Sequence, residues 1–442
     1  MVDFCMIFRC FYEALSLIAR QLYTLLFLLL LPFILLRLWW RGLQAPAYRQ
    51  RWRERLGMVP KSIFSQQPLW IHAVSVGEVI AAAPLVEKFL HTHPQLPVVL
   101  TTMTPTGASR VQALFGERVC HLYAPYDLPF CVNGFLKRTS PRLLVIMETE
   151  LWPNWIFCCR QRAIPSVLAN GRLSEKSARG YQHFARLVKP MLQNISWLAV
   201  QDGEHAQRFI GLGAPEESVS VLGNIKFDMQ MAPNLNESAK QLRQQWGVGR
   251  LVIVAGSTHE GEEDRLLDAF REVSGAVHHP LLVVVPRHPE RFADVDKLLI
   301  QQGWTFSRWS DAKDNLQECE VLLVDAMGEL MRFYAAADIA FVGGSLIKRG
   351  GHNPLEPAAH AIPIVMGSSV FNFQDICSSL QQLGSLRLVT STELADELVN
   401  LAINEPLRQQ RGQAGRIFVN ANKGTMTSLY NGIVKWLDKK VA

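Results

Sequence analysis

Three glutamates of this chain follow short apolar segments, where a carboxylate can take part in acid–base chemistry. Glu78 ends the segment SVGE and precedes an Ala-, Leu- and Val-rich stretch, whereas Glu148 and Glu150 follow the apolar residues 143–147. An ionised, partly desolvated glutamate can take a proton from an attacking hydroxyl group. Because Glu78 falls near a predicted helix N-terminus, we expect its pKa to be lowered. In the simpler interpretation, each glutamate only complements a helix dipole or caps a helix.

A glycine-rich segment in the second half of the chain is typical of an anion site. Residues 343–356 read GGSLIKRGGHNPLE, and their four glycines would let the backbone approach a ligand and expose its N–H groups. Asn353 and Pro354 are predicted to begin a helix whose N-terminus binds phosphate, with Glu356 accepting from ribose hydroxyls. Arg287, directly after an apolar segment, is a natural phosphate ligand. The alternative is a glycine-rich structural turn.

The composition disfavours metal and nucleic-acid functions. The 8 cysteines are scattered without a C-x-x-C pair, which disfavours a structural zinc site, and no Asp-x-Asp motif sits at a predicted strand end. We therefore expect no metal and no cofactor. The net charge of +6 over 442 residues suits an anionic substrate or a membrane surface. The positively charged residues are not concentrated enough in the sequence to indicate nucleic-acid binding.

Two series of alternating strands and helices must position these residues. Short apolar, β-branched segments recur from residue 68 to about 215 and again from residue 251, as buried parallel strands do. They predict an α/β fold with two parallel-sheet domains joined near residue 225. Helical stretches are predicted between the strands, for example over 175–192. Since ligands bind beyond the carboxyl ends of parallel strands, three polar loops should share the edge of Glu78: 101–107, 148–153 and 170–174.

An apolar segment near the N-terminus predicts a membrane anchor. Residues 22–36 are uncharged, and Trp39 and Trp40 follow them as an interfacial belt would. Six arginines between Arg37 and Arg55 indicate the cytoplasmic side by the positive-inside rule. The segment is shorter than the roughly 20 residues of a spanning helix. A cleaved secretory signal and a helix packed on its own domain are the alternatives, although no small-residue cleavage site follows.

Seven motifs together resemble the Kdo (3-deoxy-D-manno-oct-2-ulosonic acid) transferases of Gram-negative lipopolysaccharide synthesis. The resemblance extends from the N-terminal anchor to about residue 420. Any one motif would be weak evidence, but the combination is highly specific. The motifs are SVGE at 75–78, TTMTPTG at 101–107, METELW at 147–152, GSTHEG at 256–261, VPRHPE at 285–290, MGE at 327–329 and GGHNPLE at 350–356.

The resemblance implies a GT-B fold, with two Rossmann-like domains and the active site between them. It implies transfer of Kdo from CMP-Kdo to a lipid A precursor (lipid IVA) at the cytoplasmic side of the bacterial inner membrane. Glu78 is implied as the general base, and Glu148 and Lys226 as residues that stabilise the transition state. The residues implied to contact CMP are Pro286, Arg287, Met327, Gly328, Glu329, Asn353, Pro354, Leu355 and Glu356.

These considerations divide the chain into three predicted parts. Residues 1–42 form the anchor and juxtamembrane segment, 43–222 the acceptor-binding domain, and 223–442 the CMP-sugar domain with C-terminal helices. Two other functions stay open at this stage. One is a different GT-B enzyme, such as a heptosyltransferase that uses an ADP-sugar. The other is a membrane-tethered protein that binds nucleotide sugars without turnover, which would need neither Glu78 nor Lys226.

Overall fold

The chain folds into two compact α/β units. The computed structural model describes residues 2–60, 64–229, 234–311 and 316–439. The first unit comprises residues 1–225 together with 424–442, and the second comprises residues 226–423.

The first unit is built on a seven-stranded, wholly parallel sheet within the described residues. Its strand order is β3-β2-β1-β4-β5-β6-β7, which is the order of doubly wound dinucleotide-binding folds extended by one strand. The order reverses between β1 and β4, so a crevice opens at the carboxyl ends of these two strands. The strands are β1 (Leu69–His72), β2 (Val98–Thr102), β3 (Cys120–Tyr123), β4 (Leu143–Met147), β5 (Ser166–Gly171), β6 (Trp197–Val200) and β7 (Val219–Val221).

Helices cover both faces of this sheet, because successive residues of each strand point to opposite sides. In β1, Trp70 enters one apolar layer with Phe135 and Trp155, while Leu69 and Ile71 enter the other. The helices of this unit are α1 (Val2–Gln44), α2 (Trp52–Arg55), α3 (Val76–Thr92), α4 (Pro105–Phe115), α5 (Pro129–Thr139), α6 (Pro153–Gln161), α7 (Glu175–Gln182), α8 (Ala185–Gln193), α9 (Gly203–Gly211) and α18 (Thr425–Asp438).

The second unit repeats the plan with another parallel sheet. Its order is β10-β11-β9-β8-β12-β13-β14, and the reversal lies between β8 and β12. The strands are β8 (Val252–Thr258), β9 (Leu281–Pro286), β10 (Phe306–Arg308), β11 (Val321–Leu323), β12 (Ile339–Val342), β13 (Ile364–Gly367) and β14 (Leu386–Val389). The helices are α10 (Leu235–Trp246), α11 (Glu263–Ala276), α12 (Phe292–Gln301), α13 (Leu330–Tyr334), α14 (Leu355–Ala359), α15 (Gln374–Gln382), α16 (Leu394–Ile403) and α17 (Glu405–Ala421).

The predicted α/β class and the two parallel-sheet domains are confirmed, but two details of the prediction were wrong. The helical stretch predicted over 175–192 is two helices, α7 and α8, which are separated at His183 and Phe184. The second domain does not extend to residue 442, because α18 belongs to the first unit. The apolar face of α18, which includes Leu429 and Ile433, packs in the same layer as α3. An amphipathic pattern predicts that one face of a helix is buried, but it does not indicate which sheet the helix packs against.

Candidate active site

Glu78 lies at the edge of the first sheet where the strand order reverses. Strand β1 ends at His72, and α3 begins at Val76, so Glu78 falls in the first turn of the helix as predicted. One carboxylate oxygen accepts a hydrogen bond of 2.8 Å from the backbone N–H of Val74, and the Ser75 hydroxyl lies 3.5 Å from the other. The side chain therefore folds back onto the loop that joins the strand to the helix.

The expected lowering of the pKa of Glu78 was wrong. Burial disfavours the charged form and raises the pKa of Glu78 to about 7, and the nearby charges of Glu148 and Glu150 act in the same direction. The Val74 N–H and the positive charge of Arg172 oppose this shift without cancelling it. A carboxylate with a pKa near neutrality is suited to accept a proton in the cell.

Glu148 follows β4 on the same edge, as the parallel sheet requires. It adopts the left-handed backbone conformation with φ of 56°, and only 6% of the residue is exposed. Its carboxylate forms a 2.8 Å ion pair with Nε of Arg172, from the loop after β5. Burial also raises the pKa of the neighbouring Glu150. The structure thus brings together the loops after β1, β4 and β5 that the sequence placed on one edge.

Lys226 is the first residue of the second unit. It lies in a 3-10 helix, Ile225–Phe227, whose Phe227 packs edge-on against Phe418. The ammonium nitrogen of Lys226 is 5.1 Å from the centre of the Phe373 ring, a cation–π distance. These two aromatic contacts fix where Lys226 stands within its own unit.

The residues predicted to contact the nucleotide share one edge of the second sheet. They lie at the end of β9, in the segments that follow β9, β11 and β12, and in the first turn of α14. In the sheet, β11 and β9 are neighbours, and β8 lies between β9 and β12. Arg287 follows the last residue of β9. Burial raises the pKa of Glu356, and the Asn353 side chain and the charge of Arg287 oppose this shift without cancelling it. Glu356 accepts a hydrogen bond of 3.2 Å from the Asn353 side chain. The helix predicted to begin at Asn353 and Pro354 begins one residue later, at Leu355, and is short.

The glycine-rich loop does not offer its N–H groups to a ligand in the expected way. The buried carboxylate of Glu262 accepts hydrogen bonds from the backbone N–H groups of Gly344, Ser345 and Leu346 at 2.7 to 3.0 Å. A further bond of 3.1 Å comes from the N–H of His259. The anion nest that the glycines create is therefore filled by the protein's own carboxylate. Gly343 also packs tightly on β8, since an added Cβ would lie 2.3 Å from a backbone oxygen.

Two histidines meet where the second sheet reverses its order. The Nε2 atoms of His259 and His352 are 2.8 Å apart, and the rings are stacked. Burial and the nearby positive charges lower the pKa of each to about 4, so both rings are neutral at pH 7. One ring must donate to the other, which requires opposite tautomers. Within the described residues, no group of three or more potential ligand side chains is arranged to hold a metal ion.

The comparisons with known proteins decide the family. Residues 50–229 match the sequence profile of a family described as 3-deoxy-D-manno-octulosonic-acid transferase (kdotransferase). A 3-deoxy-D-manno-octulosonic acid transferase of Haemophilus influenzae is 40% identical over 425 residues, which cover 96% of this chain and 100% of that protein. The chain belongs to the Kdo transferase family. The corresponding enzyme of Bordetella pertussis is 32% identical over 95% of this chain and 99% of its own length.

Membership of the Kdo transferase family makes the chain a glycosyltransferase of lipopolysaccharide biosynthesis. A solved structure agrees with the fold: MurG of Acinetobacter baumannii matches with a TM-score of 0.56 over 84% of this chain and 100% of its own. At 11% identity, this likeness concerns the GT-B-like fold alone. The predicted Kdo transferase resemblance and fold class are thereby confirmed.

Three features near the Kdo transferase motifs were not assigned a role from the sequence. Arg172 lies in the loop 170–174, which was predicted to share the sheet edge of Glu78. Nothing in the sequence indicated that Arg172 pairs with Glu148. Glu262 follows the GSTHEG motif directly, where a run of three acidic residues resembles a helix N-terminus. His259 and His352 belong to two different motifs, so the sequence did not indicate that they form a pair. Each contact joins segments far apart in the chain, so local patterns carry no signal for it.

Proposed function

We propose that this chain transfers Kdo from CMP-Kdo to a lipid A precursor, lipid IVA, at the cytoplasmic face of the inner membrane. The observation that carries this proposal is Glu78, a carboxylate with a pKa of about 7 at the switch point of the first sheet. As general base, Glu78 takes the proton of an acceptor sugar hydroxyl. The hydroxyl oxygen then bonds to the anomeric carbon of Kdo, and CMP leaves with its phosphate.

Two further residues are proposed to stabilise charge in that step. Lys226 carries a positive charge suited to the negative charge that develops on the departing phosphate. Glu148 carries a negative charge suited to the positive charge that develops at the anomeric centre. Its ion pair with Arg172 holds the carboxylate in one position. Neither role requires a metal ion, because protein side chains supply both charges.

The second unit is proposed to bind the CMP portion of the donor. The residues proposed to contact it follow three strands of one sheet edge, where open α/β sheets bind ligands. With three N–H groups of the glycine loop bonded to Glu262, we assign the phosphate chiefly to Arg287. The full proposed set is Pro286, Arg287, Met327, Gly328, Glu329, Asn353, Pro354, Leu355 and Glu356.

Incubation with CMP-Kdo and a tetra-acylated lipid A precursor tests the proposed reaction. We expect CMP release and a product whose mass exceeds that of the acceptor by Kdo. A nucleotide panel separates the alternatives, because the proposed donor requires CMP to bind more tightly than ADP or UDP. A preference for ADP would favour a heptosyltransferase, and CMP binding without product would favour a protein that only binds nucleotide sugars.

Replacement of Arg287 by alanine is expected to weaken CMP binding about tenfold. A hydrogen bond to a charged group contributes about 1.5–3 kcal/mol, and 1.4 kcal/mol corresponds to a factor of ten in affinity. Calorimetry with CMP measures the change. Arg416→Ala is the matched control, since Arg416 belongs to the same unit but lies on the exposed surface of α17. Unchanged affinity in the Arg287 variant would remove this residue from the site.

The arginines in the last turns of α1 and directly after it are proposed to hold the phosphates of the lipid acceptor, but the structure reduces their number. Arg55 is 2% exposed and lies over the Tyr123 ring, and Arg51 is paired with Glu54 at 2.7 Å. These two arginines hold the chain rather than face a ligand. Arg49 is exposed, but it donates to the backbone oxygen of Trp39 and lies over the Trp39 ring. The exposed arginines Arg37, Arg41 and Arg53 are therefore the better candidates.

Changing these three exposed arginines together to glutamine is expected to raise the KM for lipid acceptor by about 10- to 100-fold. The KM for CMP-Kdo should not change, because each arginine contributes only attraction to anionic lipid, about 1 kcal/mol near a membrane surface. Steady-state kinetics in detergent micelles measures both constants. A variant with Arg142, Lys176 and Lys240 changed to glutamine loses the same charge elsewhere. An equal rise of the KM for lipid acceptor in that control would mean that the effect arises from the net charge alone.

A further inference from the structure

From residue 14 onward, helix α1 is apolar on two opposite faces, and the described part of the chain covers one of them. Its inner face packs on Tyr126, Leu128 and Cys131 of the first unit. The residues of the inner face recur every three or four positions, as one side of a helix does: Phe27, Leu31, Ile34, Leu35 and Leu38. The residues of the outer face are 53 to 72% exposed and follow the same spacing on the other side: Leu22, Leu25, Leu26, Leu29, Phe33, Leu36, Trp40 and Leu43.

Polar contacts fix the inner face in place. The buried side chain of Asn154 donates to the Thr24 hydroxyl at 3.0 Å and to the backbone oxygen of Asp127 at 2.8 Å. Tyr23 forms a side-chain hydrogen bond with Asp127, whose carboxylate also accepts from the first N–H groups of α6. Arg20 lies 3.9 Å from the centre of the Phe157 ring. These contacts are specific, and a helix that left the domain would leave buried polar groups without partners.

The docked stretch is also the stretch that a spanning helix would need. The uncharged residues lie between Arg20 and Arg37 and extend about 24 Å, which is shorter than a hydrocarbon core of about 30 Å. Residues 14–44 together are long and apolar enough to cross a membrane, but the docked residues lie within this span and would have to leave the domain for it to cross. A helix that stays docked on its domain therefore cannot cross the bilayer.

We propose that α1 lies in the plane of the membrane, with its inner face on the protein and its outer face in the acyl chains of one leaflet. This inference rests on the membrane location in the proposed function and replaces a spanning anchor by a helix that enters one side only. An exposed apolar face of this length in water would be costly, whereas a helix in the interface buries such a face about 5–10 Å deep. Both ends of the helix then stay on the cytoplasmic side.

The charges beside the outer face match an anionic lipid surface. Arg37, Arg41 and Arg53 are exposed, and Trp39 and Trp40, the residues typical of a membrane interface, lie among them. Two exposed aromatic residues lie on elements next to α1. Phe184 directly precedes α8, which packs on α1, and Phe130 lies in the first turn of α5, whose Cys131 contacts the inner face. Lipid with negative headgroups is therefore the occupant that this surface fits.

Protease access to an epitope tag at the N-terminus of the full chain tests the proposal in cells. If α1 lies in the plane, protease added to intact spheroplasts leaves the tag, and protease added to inverted inner-membrane vesicles removes it. Removal of the tag in intact spheroplasts would overturn the in-plane helix while leaving membrane attachment in place. Recovery of the protein in the soluble fraction would instead overturn the membrane location on which the inference rests.

A matched variant verifies that the assay can report a spanning helix. Arg20→Leu, Tyr23→Leu and Thr24→Leu together remove the polar contacts and make residues 14–36 uncharged, a length of about 35 Å. This variant should expose the tag in spheroplasts. Binding of the purified wild-type protein to preformed vesicles of phosphatidylethanolamine and phosphatidylglycerol gives a second measurement. External protease should then remove all of the tag, and protection of the tag would contradict the proposal.

Discussion

Replacement of Glu78 by glutamine is expected to lower turnover by roughly 100-fold or more while CMP-Kdo binding stays near normal. The variant keeps an oxygen for the Val74 N–H but cannot accept a proton, and loss of a general base costs about 10²–10⁴ in rate. Single-turnover kinetics with saturating donor measures the effect. Glu87→Gln is the matched control, because Glu87 lies on the same helix and is paired at the surface with Arg118. Near-normal turnover in the Glu78 variant would move the base elsewhere, with Glu148 as the next candidate.

The pH dependence gives this expectation a second readout. Since the base must be deprotonated, turnover should rise with pH up to about 7 and level off above it. In the folded protein Glu78 keeps its proton up to about pH 7, whereas its ordinary pKa is 4.5. The free energy of unfolding therefore falls as pH rises from 4.5 to 7. Above pH 7 the glutamine variant should be more stable than the wild type by about 1–2 kcal/mol, a value reduced for partial solvent screening.

Replacement of Glu262 by alanine is expected to lower the free energy of unfolding of the second unit by at least about 3 kcal/mol. Four backbone N–H groups lose their acceptor, and each unsatisfied buried donor costs about 1–3 kcal/mol before water or relaxation compensates. Calorimetry should show the transition of this unit at a lower temperature. CMP affinity should fall as well, because the glycine loop loses the contact that holds its shape.

Glu260→Ala is the matched control for this second expectation. Glu260 lies two residues earlier, inside the GSTHEG motif, and is exposed, so its removal should change the transition by less than about 0.5 kcal/mol. Glu262→Gln keeps the shape of the side chain but places an amide against N–H donors, and it should be destabilising too. A normal transition in both Glu262 variants would mean that the loop finds other acceptors.

The sequence was informative wherever a pattern had a single physical interpretation. Apolar, β-branched segments such as 143–147 and 281–285 could be assigned to buried parallel strands, and the parallel order then placed the loops of Glu78 and Glu148 on one edge. Short strands with polar residues were not identified. Strand β10 (Phe306–Arg308) has the polar Ser307 at its centre, and β14 (Leu386–Val389) contains Arg387. Neither segment therefore resembles a buried strand.

The chemistry of the site was harder to predict than its position. The helix dipole at Glu78 is a local feature, but the burial and the Glu148 charge that outweigh it depend on residues distant in the chain. The glycine loop could be identified as an anion nest from its residues alone. That the anion is Glu262, from 82 residues earlier than Gly344, depends on how β8 and β12 lie side by side. Local sequence therefore indicates that the loop can form an anion nest, but it does not indicate which group fills the nest.

The return of α18 to the first unit makes that unit discontinuous along the chain, which has a consequence for biosynthesis. Residues 226–423 form a continuous segment that can fold as soon as it has left the ribosome. The first unit must wait, because Leu429, Ile433 and Leu437 cover part of its core and are synthesised after the whole second unit. During that delay the nascent chain exposes an apolar surface beside α3. Completion of the domain that was translated first thus depends on a helix that is translated after the whole of the second unit.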